Sequence, residues 1–320
     1  MEAADRDLTA REPERSTPVG EAAQPDAIMN GLGMRKRPST WLRLLRNGKA
    51  RLGLGLLIVI VFSAIAAPLL APYDPAEQNV RDKLAPPAWQ SGGSWDHPLG
   101  TDQLGRDMLS RILYGGRVSL LVALFATIAA SILGIALGVL AGYFGRYTDA
   151  VIMRLVDVQM AFPSILLALA VMVMLGPSFR NLIIVLAVSS WVFFSRVIRA
   201  DVLTIRHREF VTAGEAIGAT NQRLIGRYIF PNLIGVITVV STLTIARVVI
   251  SEASLSFLGL GIQPPTSSWG LMLSEGRRYL SVAWWITTFP GIALMGTVIG
   301  VNLLGDALRD ILDPQLSHEG

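Results

Sequence analysis

Six long apolar runs, at approximately 52–70, 118–141, 150–175, 182–198, 233–250 and 285–304, alternate with polar stretches along the chain. Their apolar residues are gathered into blocks without an amphipathic period, the pattern of helices surrounded by oil. A helix rises about 1.5 Å per residue, so roughly 20 such residues cross a hydrocarbon layer about 30 Å thick. The pattern predicts an all-α, polytopic membrane protein with six transmembrane helices.

One polar stretch carries a pattern of its own. In REFVTAGEAIGATNQRLIGRYIFPN, residues 208–232, Phe210, Ala213, Ile217 and Leu224 fall in a narrow stripe at about 100° per residue, with Arg208, Glu215 and Gln222 off it. Gly218 interrupts the helix and Thr220 can cap a second one, so two short helices meeting at a small-residue bend are predicted. Helices this short are marginal in water alone. The stripe must therefore pack, either on the ends of the chain's own spans or in a groove elsewhere.

Composition agrees with the spans: 52% of the 320 residues are hydrophobic and 16% charged. A net charge of +4 would suggest nucleic acid for a soluble protein, but here the basic residues serve orientation instead. Arg35, Lys36, Arg37, Arg43, Arg46, Lys49 and Arg51 crowd the approach to the first run, which places the N-terminus in the cytoplasm, and an even number of spans returns the C-terminus there. The loops holding Arg146 and Arg154, and Arg196 to Arg227, follow the same rule. Residues 1–38 read as a disordered cytoplasmic tail, 39–51 as a basic juxtamembrane segment and 52–316 as the six-helix domain. The chain has no cysteine, which excludes disulfides and thiolate metal sites.

Enzyme chemistry finds no motif. Phosphate-cradling GxxxxGK[ST] is absent, since Asn47-Gly48-Lys49-Ala50 lacks both the upstream glycine and the hydroxyl. His97, His207 and His318 are scattered, and neither HExxH nor GxSxG occurs. An autonomous secondary transporter would need ionisable residues at mid-membrane for its coupling ions. Asp157 is expected to pair with Arg154 three residues before it. Arg247, read as lying near the outer end of the fifth span, is expected to snorkel, with Glu252 about 140° around the helix from it.

Outside the membrane, Thr101 is expected to cap a helix bearing two i,i+4 pairs, Asp102 with Arg106 and Asp107 with Arg111, and a stripe of Leu104, Met108 and Ile112. Gln263-Pro264-Pro265 and Trp269-Gly270 read as a rigid turn bracing an outer gate, with Trp284 and Trp285 at the membrane interface. Gly134, Gly138 and Gly142 leave one face of the second span nearly bare, for helix packing or for lining a pore. Pro163 is expected to kink the third.

Four stretches carry a family resemblance. Ala213, Gly218 and Pro231 stand at the spacing of the cytoplasmic EAA loop of ABC-importer permeases, although the Glu-Ala-Ala positions read Thr212, Ala213 and Gly214, and Tyr228 and Phe230 replace the usual aliphatic pair. With GTDQLGRDMLSRILYGGRVSL at 100–120, EASLSFLGLGIQPPTSSWG at 252–270 and NLLGDALRDILDP at 302–314, the chain resembles the C-type permease subunits of the dipeptide, oligopeptide and nickel importer family, the dipeptide permeases most of all. The resemblance covers roughly 40–316.

It implies a type I ABC importer permease fold in a bacterial inner membrane, supplying half of a translocation pore. It implies a coupling helix within 208–228, where Phe210, Ala213, Ile217, Gly218, Ala219 and Thr220, with Pro231 beyond, meet an ATPase. The implied partners are a second homologous permease, two ABC ATPase subunits and an extracytoplasmic peptide-binding protein. No cofactor is implied on this chain; ATP and Mg belong to the ATPases. Short peptides lead as cargo, with oligopeptides, glutathione and nickel as alternatives. Arg247, Glu252, Gln263 and Trp269 are the expected pore or outer-gate positions.

Overall fold

A computed structural model describes residues 47–312; the expectations for the tail 1–38 and for the basic residues up to Arg46 lie outside the described residues. Every regular element among these residues is helical. Helix α1, Gly48–Ile65, starts ahead of its apolar run because the Asn47 side chain accepts from the amides of Lys49 and Ala50. A short α2, Ala67–Leu70, follows. Helix α3, Met108–Phe144, is 37 residues long and is capped by Asp107, whose carboxylate accepts from the Ser110 amide. Next come α4, Arg146–Met160, α5, Ser164–Leu175, α6, Phe179–Ile205, and the short α7, Glu209–Ala216. Helix α8, Asn221–Phe257, α9, Trp269–Gly276, and α10, Trp285–Leu312, complete the bundle.

Among the described residues five helices are long and apolar enough to cross a membrane, and α4 with α5 together are apolar enough for a sixth but meet at 87°. The single third span expected over 150–175 is therefore corrected to two helices around an elbow at Ala161–Pro163. Pro163 stands in extended backbone (φ −57°, ψ 122°) just ahead of α5. It has no N–H to continue the ladder, and its ring disfavours helical backbone at Phe162 before it. What was expected as a kink is a full break.

The glycine face of α3 packs on α6. A Cβ on Gly134 would lie 2.5 Å from Cβ of Phe194 and from the carbonyl oxygen of Trp191; on Gly138, 2.8 Å from the Ser195 carbonyl; on Gly142, 2.8 Å from Cβ of Val202. The two backbones approach as closely as they do because no side chain separates them. A second crossing of this kind joins α1 to α10, where a Cβ on Gly53 would lie 2.9 Å from the Gly300 carbonyl. Outward-facing residues such as Val59, Ile65 and Met174 remain exposed, as suits lipid.

The helix expected from Thr101 does not form; α3 begins only at Met108. Thr101 and Asp107 instead close a small antiparallel bridge. The Thr101 hydroxyl donates to the Asp82 carbonyl and accepts from the Ala85 amide (2.9 Å). Asp102 does pair with Arg106 (Nε to Oδ2, 2.6 Å), and its other oxygen accepts from the amides of Leu104 and Arg106. Asp107 is not the partner of Arg111: it is held by Ser110 and faces Nδ1 of His97 at 3.0 Å. Arg111, fully buried, reaches Asp102 and Oε2 of Glu275 (2.6 Å), and Arg106 reaches the same oxygen (3.0 Å). This two-plus, two-minus cluster staples the start of α3 to α9.

The Arg154–Asp157 pair is also replaced. Arg196 of α6 donates to Asp157 at 2.6 Å, and Arg199 holds Asp149 in a two-pronged grip (Nη2 to Oδ2, 2.6 Å). A basic residue ahead of an acidic one is the poorer order within a helix, and α6 brings a better-placed partner.

Candidate functional site

Two places stand out: the bend between α6 and α8, and a cavity beside the broken span. At the bend, Arg208, in extended backbone, precedes α7, and Gly218 adopts φ +80°, a left-handed conformation that favours glycine. The Gly218 amide donates to the Glu215 carbonyl and the Ala219 amide to that of Gly214, closing the helix end. Thr220 caps the next helix as expected, its hydroxyl oxygen accepting from the Arg223 amide at 3.4 Å.

The segment then runs through a wider π turn at Leu224–Ile229, immediately ahead of Pro231. Proline cannot donate into the ladder, and the wider turn accommodates it. The Asn232 side chain donates to the Tyr228 carbonyl at 2.6 Å.

This bend has two faces. Val211, Gly214 and Leu224 are buried toward the bundle, where a Cβ on Gly214 would meet the Leu224 side chain at 2.9 Å. Phe210, Ala213 and Ile217 are exposed, Ile217 to 80%; Ala219 is half-buried, and the space beside Gly218 is open. Leu224 thus leaves the stripe predicted for it, because the left-handed turn at Gly218 rotates the second helix relative to the first. A single helical wheel does not carry across that turn.

The bend is anchored by residues that sequence periodicity did not reveal. Arg206 donates from Nη1 to the carbonyls of Gly142 (3.1 Å) and Tyr143 (3.0 Å), occupying acceptors left free at the end of α3. The Tyr143 hydroxyl donates to Oδ1 of Asn221 at 2.9 Å. Hydrogen bonds between residues more than sixty positions apart leave no periodic trace.

The cavity, about 330 Å³, lies between the α4–α5 elbow, α6 and α8. Arg247 lines it, with its guanidinium 4.3 Å from the centre of the Phe193 ring. Helix α8 continues to Phe257, so Arg247 stands ten residues inside the helix rather than near its end, with its side chain exposed. Within the last turns of α8 the Ser254 hydroxyl bonds back to the Ile250 carbonyl four residues earlier (2.8 Å). Gln159 ties the elbow to α6, donating to the Val188 carbonyl (2.6 Å) and accepting from the Trp191 indole (2.9 Å).

The other expected gate residues are dispersed. Glu252 is fully buried, accepting from the hydroxyls of Ser119 (3.0 Å) and Ser256 (2.8 Å), with no basic side chain pairing it among the described residues. Gln263 is exposed and its amide donates to the carbonyl of Gly259 (3.0 Å). Trp269 is not at a surface turn but begins α9. It is 2% exposed, its indole donates to the Ile112 carbonyl (3.0 Å), and Gly116 leaves room for its ring. Trp285 is likewise buried rather than interfacial, donating to the Thr101 carbonyl at 2.9 Å.

A polytopic helical bundle with a broken span, a cavity at that break and an apolar knuckle protruding from one end has the architecture of a membrane permease. Residues 134–318 match the family described as "Binding-protein-dependent transport system inner membrane component", and residues 39–87 match "N-terminal TM domain of oligopeptide transport permease C". The chain belongs to the binding-protein-dependent transport system inner membrane component family, as a multi-pass inner-membrane subunit.

It is 43% identical over 278 residues to the di/tripeptide transport system permease protein DppC of Pseudomonas aeruginosa (strain UCBPP-PA14), covering 87% of this chain and 92% of that protein. Against the dipeptide transport system permease protein DppC of Escherichia coli (strain K12), identity is 46% over 278 residues, 87% and 93% of the two chains. The DppC of Alkalihalophilus pseudofirmus is 42% identical over 274 residues, 86% and 88% of the two.

Proposed function

We propose that this chain is one half of the pore of an ATP-driven importer for dipeptides and other short peptides, and that the knuckle around Gly218 is the handle by which an ATPase subunit moves it. The other half is a second, homologous permease. Two ATPases bind ATP and Mg on the same side as both termini, the cytoplasmic side, and a peptide-binding protein delivers cargo from the other. Names of relatives support the cargo class: the three relatives named above are dipeptide or di/tripeptide transport system permease proteins.

One observation carries the coupling reading. Phe210, Ala213 and Ile217 form an exposed apolar stripe on a segment whose opposite face is already packed. Such a stripe in water is unfavourable and marks an interaction site. Nucleotide binding then shifts the permease between inward-open and outward-open arrangements, because the ATPase pair binds nucleotide better in one of them.

The chain has no cysteine, so Ile217→Cys provides a unique thiol. Labelled with a photoreactive maleimide in the co-expressed complex, it should crosslink to a nucleotide-binding subunit. Crosslinks confined to the chain's own bundle would remove the coupling reading. Identification of co-purifying chains after mild detergent extraction tests the assembly: a lone chain competent for transport in liposomes would point to a secondary transporter.

A further inference from the structure

Arg247 lies ten residues before the end of α8, with its side chain exposed at the wall of the cavity rather than packed among neighbours; an ionisable residue within a membrane-spanning helix is retained for pairing or for function. Its contact with the Phe193 ring face uses none of its N–H groups as hydrogen-bond donors, and among the described residues no carboxylate pairs with it. The cavity that it lines contains no acidic residue.

Other polar groups on the wall are committed in a particular way. The Ser189 hydroxyl donates to the Val185 carbonyl (2.8 Å) and the Thr244 hydroxyl to that of Val240 (2.7 Å), so each oxygen is left as an acceptor. The Gln159 amide is already engaged at both ends. With the hydroxyls of Ser164, Ser190 and Ser251, which also line it, the site therefore offers one cationic fork of donors, a set of neutral acceptors and hydroxyls, and an apolar remainder, in a volume suited to a small ligand. Its complement is a molecule with one carboxylate and several N–H donors.

We propose that this cavity is a transit site for the C-terminal carboxylate of a peptide, a proposal that rests on the peptide-import reading above. The Arg247 guanidinium takes the carboxylate in a charge-assisted pair. The oxygens of Ser189 and Thr244 accept from the last N–H groups, and the apolar wall around Phe193 receives a side chain. A site built in this way reads what all peptides share rather than what distinguishes them.

The test uses the complete importer complex in nanodiscs without its binding protein, with glycyl-phenylalanine and its C-terminal amide as probes in saturation-transfer NMR. The wild type should prefer the free acid by about tenfold or more. Arg247→Gln should abolish the preference by weakening the acid alone, and Arg247→Lys should retain part of it, since a point charge replaces a fork. Equal binding of acid and amide to the wild type, or equal loss of both in Arg247→Gln, would overturn the proposal. So would loss of the sister permease from both variants on purification, which would mark Arg247 as a subunit contact. Proteoliposome uptake, with the binding protein restored, separates the two readings. A wild-type complex that imports no peptide removes the peptide reading and this site with it, whereas peptide import with an unaltered acid preference in Arg247→Gln removes this site alone.

Discussion

Replacing Arg111 with methionine tests whether the cluster at the start of α3 is stabilised by its charge balance. Asp102, Arg106, Arg111 and Glu275 contribute two positive and two negative charges, and all but Glu275 are essentially excluded from solvent. In Arg111→Met the methionine fills most of the volume. Asp102 keeps Arg106 and its two amide donors, and Glu275 keeps the Arg106 Nη2 at 3.0 Å. One buried negative charge is nevertheless left uncompensated. Stranding one member of a buried pair costs about 3–5 kcal/mol.

Adding Glu275→Gln removes that charge while leaving an amide oxygen to accept from Arg106. The double variant should recover at least about 2 kcal/mol of the loss, a coupling far outside additivity. At roughly 2–4 °C per kcal/mol, the single variant should melt at least about 6 °C below wild type when tryptophan fluorescence is followed in detergent. A single variant melting with wild type, or a double variant less stable than Arg111→Met alone, would show that packing rather than charge balance holds α3 to α9.

Three further outcomes follow from the same geometry. Gly138→Leu places a Cβ about 2.8 Å from the Ser195 carbonyl and forces α3 off α6, so thermal stability should fall by about 1–3 kcal/mol while Gly226→Ala, at an open position, changes little. Glu252→Gln keeps the shape and one of the two acceptor oxygens, so one of Ser119 and Ser256 turns its hydroxyl to accept from the new amide, and it should melt within about 1 kcal/mol of wild type, whereas Glu252→Leu leaves two buried hydroxyls to find new partners and should cost about 1–3 kcal/mol. Leu224→Asp buries a charge beneath the knuckle and should unfold that end of the bundle, seen as accelerated proteolysis between α6 and α8; Ile217→Asp should leave proteolysis unchanged and abolish ATP-driven uptake.

What was legible in the sequence was whatever depends on local periodicity. The apolar runs located five crossings, the glycine spacing in α3 announced a close helix contact, and Gly218 with Thr220 marked the knuckle's bend and cap. What was not legible depends on the third dimension. Asp157 found Arg196 rather than Arg154, and Arg111 found Glu275, 164 positions away, because side chains at bundle crossings choose among neighbours that only packing brings together. Apolar runs also mark lipid contact rather than helix length, so they understated α3 and α8 at the ends and missed that Arg247 lies deep within its helix. The buried Trp269 and Trp285 were misplaced for a related reason: an indole finds an interfacial and an interior hydrogen bond equally acceptable, and composition does not distinguish them.

Helix α3 links the two ends of the molecule, and its glycine seam determines how it can move. At its start the ion cluster fixes it to α9; at its finish Arg206 and Tyr143 fix it to the knuckle; between them Gly134, Gly138 and Gly142 lock it to α6 at backbone contact. A close-packed seam of this kind resists sliding, since any axial shift drives carbonyls into Cα atoms. α3 and α6 therefore move as one body. The proline elbow between α4 and α5, held to α6 by ion pairs, the Gln159 bonds and the apolar contacts of Val156, Ala168 and Met172, is where the helical ladder is interrupted and an angle between helices can change. On the proposed reading, force applied at Gly218 arrives at the cavity as a change in the α4–α5 elbow rather than as a distortion of α3, and Arg247 stands on the opposite wall of that cavity, where such a change alters what it faces.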